Sequence, residues 1–220
     1  MAFLFRRRAG KWMVAMCAIV VISSLWLAEG RQRRIGLVLA EGPSGKDRGS
    51  LSEIRARFSQ AQHEQFMRRA IANARKAGVT DKTGGAFGAV VVDKAGTVLS
   101  DGVNHVIARN DPTWHGEMHA IREACAALKK PKLSGCILYT SSEPCPMCLA
   151  SAYWAGLDAI VYAATVADAK EYGNFDDEFI YRQFALPREE RAIVEVPELL
   201  RRESVEVWKE YAALPDKADY

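Results

Sequence analysis

Apolar residues recur at helical spacing from Phe58 to Ala77 (Phe58, Ala61, Phe66, Ala70, Ile71 and Ala74), and Gly78 offers a stop. Next comes AFGAVVVD (86–93), an apolar, β-branched run, and a second run spans Thr97 to Val103. Lys94-Ala95-Gly96 joins the two as a short hairpin turn. Gly116 to Lys129 reads as a helix ended by Pro131, and CILYTS (136–141) as a buried strand. Cys145 to Ala155 reads as a helix closed by Gly156, and AIVYAA (159–164) as a further strand. Beyond it the pattern predicts helices over Asp176 to Leu186 and Ser204 to Leu214, with Ala192 to Val196 a short strand between them. Hairpin, helix, strand, helix, strand is the order of a three-layer α/β/α fold, a mixed five-stranded sheet covered by helices, in one domain over residues 51–220. Ligands of such a sheet sit where loops and helix starts gather at strand ends.

Residues 1–50 have a different character. Arg6, Arg7, Arg8 and Lys11 precede a run without charge, Trp12 to Ala28. A basic flank before an apolar run predicts a signal peptide or an N-terminal apolar anchor helix, with membrane contact through residues 12–28. Arg31, Arg33 and Arg34 put positive charge on the other side as well and blur the orientation. The alternative is a start drawn too early, with this segment absent from the working protein. Localisation follows the choice: membrane-anchored or exported if the segment is real, cytoplasmic if not. Residues 41–52, rich in Gly, Ser and charge, read as a linker.

Charge divides the same way. The whole chain carries +3, but residues 1–50 hold nine basic and three acidic side chains, which leaves 21 basic and 24 acidic beyond them. The body is therefore slightly acidic. A protein that grips a long polyanion needs a basic face. A small substrate is favoured over RNA or DNA.

Two short segments carry candidate chemistry: Pro112-Thr113-Trp114-His115-Gly116-Glu117 and Glu143-Pro144-Cys145-Pro146-Met147-Cys148. Each opens a predicted helix. Cys145 and Cys148, three residues apart, present their sulfurs on one helical face. A helix start favours negative charge and so favours thiolates. One imidazole added to two thiolates gives a tetrahedral Zn2+ three protein ligands, and an open fourth position marks a catalytic rather than a structural site. Glu117, two residues from His115, faces the same pocket without binding metal, which suits it to move protons.

Blander readings compete. A lone Cys-x-x-Cys also serves redox pairs and half-sites of structural zinc knots, and His119 is the spare fourth ligand that a sealed site would use. Cys125 in a helix and Cys136 at a strand start read as small core residues, and Cys17 belongs to the apolar leader.

His-x-Glu followed by Pro-Cys-x-x-Cys is the pattern of zinc-dependent deaminases. Together with FGAVVVD, NDPTWHGEMHAIREAC, ILYTSSEPCPMCLASAYWA, VYAAT and FDDEFIY, it makes the chain from about Phe66 to Tyr220 resemble the cytidine-deaminase-like superfamily. Within it, FDDEFIY and the terminal Asp219-Tyr220 resemble bacterial guanine deaminases. The resemblance implies a hydrolase of a free nucleobase, guanine first, with aminotriazines such as ammeline, guanosine or cytosine as alternatives. It also implies zinc on His115, Cys145 and Cys148, with Glu117 as proton shuttle. Asn104 then hydrogen-bonds the purine, Phe87 stacks on it, Asp177 lies near the base, Trp154 forms a wall and Tyr220 closes the site, while Gly116, standing where Ala is common in that family, deepens the pocket. A homodimer with exchanged C-terminal segments follows from the same likeness. Each assignment has a plainer counterpart: Phe87 and Trp154 suit a core, Asp177 and Glu178 a solvated helix start, Tyr220 a frayed end. Trp114, Gly116 and an extra residue, Asn174, depart from the pattern. Two other readings remain: an adenosine deaminase acting on tRNA, and a membrane-tethered zinc module without turnover.

Overall fold

The computed structural model describes residues 50–218, which belong to one compact unit. Helix α1 (Leu51–Ala56) starts where Ser50 and Glu53 cap each other reciprocally, inside what reads as linker by composition. Helix α2 (Gln60–Arg75) is opened by the same device, Ser59 with Gln62, and runs on through a wider turn, Lys76–Thr80. Strands β1 (Gly88–Val92) and β2 (Val98–Val103) pair antiparallel across the expected hairpin, with a register shift between Val91 and Val92. A short helix α3 (Val106–Arg109) follows, then α4 (Gly116–Leu128), β3 (Ile137–Ser142), α5 (Pro146–Ala155) and β4 (Ala159–Ala164).

The strand order is β2-β1-β3-β4, with β1 antiparallel to β3 and β3 parallel to β4. Side chains of β1 alternate between two cores. Val90 and Val92 join Ile137, Tyr139, Phe58, Phe66 and Ala70 beneath α2. Ala89 and Val91 join Leu138, Ala120, Ala124, Ala152 and Ala155 beneath α4 and α5. A strand buried on both faces needs apolar residues at every position, which is why GAVVV and ILY show no polar alternation. The mixed sheet and its two helical layers match the sequence pattern.

The sheet has four strands, not five. Ala192 to Val196 forms no strand: Ile193, Val194 and Val196 are 79%, 85% and 79% exposed. An apolar β-branched run is only half of a strand, because its backbone also needs an edge to pair with. Helices α6 (Val166–Gly173), α7 (Asp177–Ala185) and α8 (Arg201–Ala213) complete the chain, and none of them contains a buried residue. Asn174, the extra residue, ends α6 in the left-handed conformation (φ 58°), which Asn tolerates better than most side chains. The predicted N-terminal apolar helix, residues 12–28 with it, and Tyr220 lie outside the described residues. Among the described residues no helix is long and apolar enough to cross a membrane.

Candidate metal centre and cavity

β1 begins, and β2 and β3 end, at the same margin of the sheet, where Gly88 N–H donates to Ser141 Oγ (3.1 Å). Two helices start there. His115 is the N-cap residue of α4, and Cys145 is the N-cap residue of α5 with Pro146 in its first turn. Their N-termini bring His115 Nδ1 within 3.6 Å of Cys145 Sγ and 3.5 Å of Cys148 Sγ, and the two sulfurs lie 3.6 Å apart. Tetrahedral zinc with ordinary bond lengths has N–S and S–S edges of about 3.6 and 3.8 Å. The donor set fits that ion. These three residues are also the cluster of metal-capable side chains found among the described residues. His119 stays out of it, with Nδ1 against the Val103 backbone (3.1 Å), so it does not seal the site as a fourth ligand.

Glu117 is buried (3% exposed) beside these donors. Its Oε1 accepts from Thr140 Oγ1 (2.9 Å), and its Oε2 lies 3.6 Å from Cys148 Sγ. Burial pushes its carboxyl above the ordinary range, against the pull of the Thr140 hydroxyl. The thiols divide their charge unequally. The Cys148 hydrogen bond, aided by His115, draws Cys145 down to about 4, whereas Cys148 is pushed up by its bond to Cys145 and by burial. His115 is raised chiefly by its hydrogen bond to Cys145.

A cavity of about 480 Å³ opens from these groups and is lined by His115, Glu117, Cys145, Asn104, Phe87 and Asp177, together with Gly84, Gly85, Glu143 and Phe175. Asn104 is 3% exposed, and its Oδ1 accepts from Val106 N–H (3.1 Å). A backbone N–H only donates, so this bond fixes the amide with Nδ2 as the remaining donor. Phe87 and Phe175 meet edge to face, ring centres 4.9 Å apart. Burial raises the Asp177 carboxyl, with the Cys145 charge adding to it.

Three expected residues lie elsewhere. Gly116 is buried against β1, where a Cβ would stand 3.0 Å from Gly88 Cα and from the Phe87 carbonyl oxygen; it does not line the cavity. Trp154, on α5, is 68% exposed and outside the cavity. Tyr220 is not among the described residues. Trp114 does not line the cavity either; the guanidiniums of Arg109 and Arg122 lie 5.3 Å and 5.6 Å from its ring centre. Thr140, Glu143 and Phe175 lie inside segments that the sequence singles out, but nothing local gave them a role of their own. The Gly84-Gly85 pair lies outside those segments, and its local signal pointed to a turn.

Residues 60–164 match the model of the cytidine and deoxycytidylate deaminase zinc-binding region. The chain is 52% identical over 131 residues to a guanine deaminase of Bacillus subtilis, covering 60% of this chain and 82% of that one. It is 37% identical over 101 residues to a tRNA-specific adenosine deaminase of Aquifex aeolicus, covering 46% of this chain and 65% of that one. The crystal structure of the Bacillus subtilis guanine deaminase superposes with a TM-score of 0.64 at 44% identity, over 71% of this chain and 99% of that one. Fold and donor set thus define a zinc-dependent hydrolase acting on C–N bonds of cyclic amidines. The chain belongs to the cytidine and deoxycytidylate deaminase family.

Proposed function

We propose that this protein hydrolyses guanine to xanthine and ammonia, with His115, Cys145 and Cys148 as zinc ligands. The observation that carries the reading is a buried carboxylate, Glu117, beside an incomplete set of metal donors at the floor of a cavity of about 480 Å³. Likeness to a guanine deaminase over 82% of its length supports the choice of base. Zinc, when bound, supplies Lewis acidity that makes water nucleophilic near neutral pH. Glu117 accepts the water's proton and delivers protons to the ring nitrogen and the departing amine. A C–O bond forms at the amino-bearing carbon, the C–N bond breaks, and ammonia leaves. Glu117 carries the proton between the two transfers. The Thr140 hydroxyl holds its other oxygen and sets its orientation.

Recognition falls to the walls. Asn104 Nδ2 donates to an acceptor of the base, the Asp177 carboxylate accepts from a ring N–H, and Phe87 packs on the ring face. A base with the wrong pattern leaves these groups unpaired, so discrimination is strong. The full chain, loaded with zinc, is incubated with guanine, ammeline, guanosine, cytosine and adenine while ammonia is measured. Guanine should give the fastest release. Release from ammeline or cytosine alone would move the assignment to that ring, and silence on all five with one zinc per chain would end it.

Two copies associate, in this reading, by exchanging C-terminal segments, which brings Tyr220 to the neighbouring site. Support comes from Ile193, Val194, Val196, Leu199, Val207 and Trp208, each more than three-fifths exposed within one chain. A monomer seldom leaves so many large apolar side chains of one segment in water.

A further inference from the structure

α7 packs against α5 and α6 and contains no buried residue, although its first residue, Asp177, reaches the cavity. Its outer face pairs with Lys170, whose Nζ lies 3.2 Å from Asp176 and 3.5 Å from Glu178. All three side chains are close to half exposed, and pairs of this kind hold weakly. Ahead of the helix, the Phe175 ring leans on Phe87. Besides its packing against α5, one attachment to the domain is polar and partly buried: the Tyr181 hydroxyl donates to the carbonyl oxygen of Pro144 at 2.9 Å.

Pro144 stands between Glu143, which lines the cavity, and Cys145, one of the metal donors. Prolines at 144 and 146 restrict this backbone on both sides of Cys145, so the acceptor is a fixed point. Asp177 and Tyr181 are four residues apart on one helix and share a face. We propose that Tyr181 is a positioning residue: its hydroxyl ties α7 to the Pro144 carbonyl and thereby holds the Asp177 carboxylate at the cavity. Tyr181 is neither a lining residue of the cavity nor one of the metal donors. Its effect passes through the helix, whose rotation or lift by about 1 Å would misplace a recognition group. The inference rests on the role proposed above for Asp177.

Tyr181→Phe in the full chain keeps the ring and removes only the donor. With guanine, kcat/KM should fall about tenfold, the size of one lost hydrogen bond, while zinc content stays at one per chain. In an Asp177→Asn background the same change should cost less than about twofold, because its target is already gone. Backbone amide exchange over residues 177–185 should speed up in Tyr181→Phe. Full multiplication of the two losses, or α7 exchange equal to that of the parent, would overturn the tether. If the parent leaves guanine untouched, the choice of substrate fails separately, and the exchange measurement still decides whether Tyr181 holds α7.

Discussion

Thr140, at the centre of a fully buried strand, donates its hydroxyl to Glu117 across the start of α4 (2.9 Å). A polar side chain in such a place is costly unless paired, so the strand is built around the carboxylate as much as around the core. Glu117→Gln preserves shape and an acceptor for Thr140 but removes the transferable proton. Turnover should drop by at least about a hundredfold with zinc still bound. Activity within tenfold of the parent, at full metal content, would take Glu117 out of the proton path.

Gly84 is required by the Asn104 amide. A Cβ at 84 would stand 1.9 Å from Asn104 Oδ1, so Gly84→Ala must displace the side chain assigned to read the base. KM for guanine should rise at least about tenfold, with a smaller change in kcat and intact metal binding. An unchanged KM would show that Asn104 is not a recognition group.

Metal removal should be reversible in function. Dialysis against a chelator is expected to abolish ammonia release, and added Zn2+ to restore it in proportion to the ion bound. The apo chain should also melt lower, since a ligand of the folded state stabilises it by mass action. Activity that survives complete removal would contradict a metal-dependent reaction.

Tyr139 is fully buried, its hydroxyl shares a hydrogen bond with His63 Nδ1 (2.7 Å), and burial pushes its phenol up to about 12. The unfolded chain loses that proton near pH 10. Stability from this group is complete below pH 10 and falls as pH rises from 10 towards 12, because the folded state still holds a proton that the unfolded state has lost. Chemical denaturation of the parent and of Tyr139→Phe should show a smaller alkaline decline in the variant. Equal slopes would mean that the phenol titrates normally.

Deleting residues 215–220 removes no buried side chain among those described. If Tyr220 closes the neighbouring copy's site, guanine turnover should fall more than tenfold while the melting temperature moves by a few degrees. Equal loss of both would mark the tail as ordinary packing.

The metal donors, Glu117 and the sheet-forming runs could be read from the sequence because each depends on local spacing. Helix periodicity sets the separation of Cys145 and Cys148, and continuous apolar runs betray strands covered on both faces. The supporting residues could not. Thr140 looks like one more β-branched strand position, and only tertiary pairing brings it to Glu117. Gly84 looks like a turn until the Asn104 side chain is seen to occupy its missing Cβ. Ala192 to Val196 misled in the opposite direction, since composition cannot reveal that no free edge receives it. Trp154 lies on the exposed side of α5, a fact that depends on helix rotation rather than on residue type.

The division of the cavity between a rigid frame and a loosely joined helix has an evolutionary consequence. Groups that would break and make bonds stand on elements locked to the sheet, so substitutions there forfeit the reaction. Asp177 and Phe175 belong to a region without a single buried residue, where exchanges are cheap for the fold. A lineage can therefore trade one clientele for another by altering the attachment, and leave the reactive machinery as it inherited it.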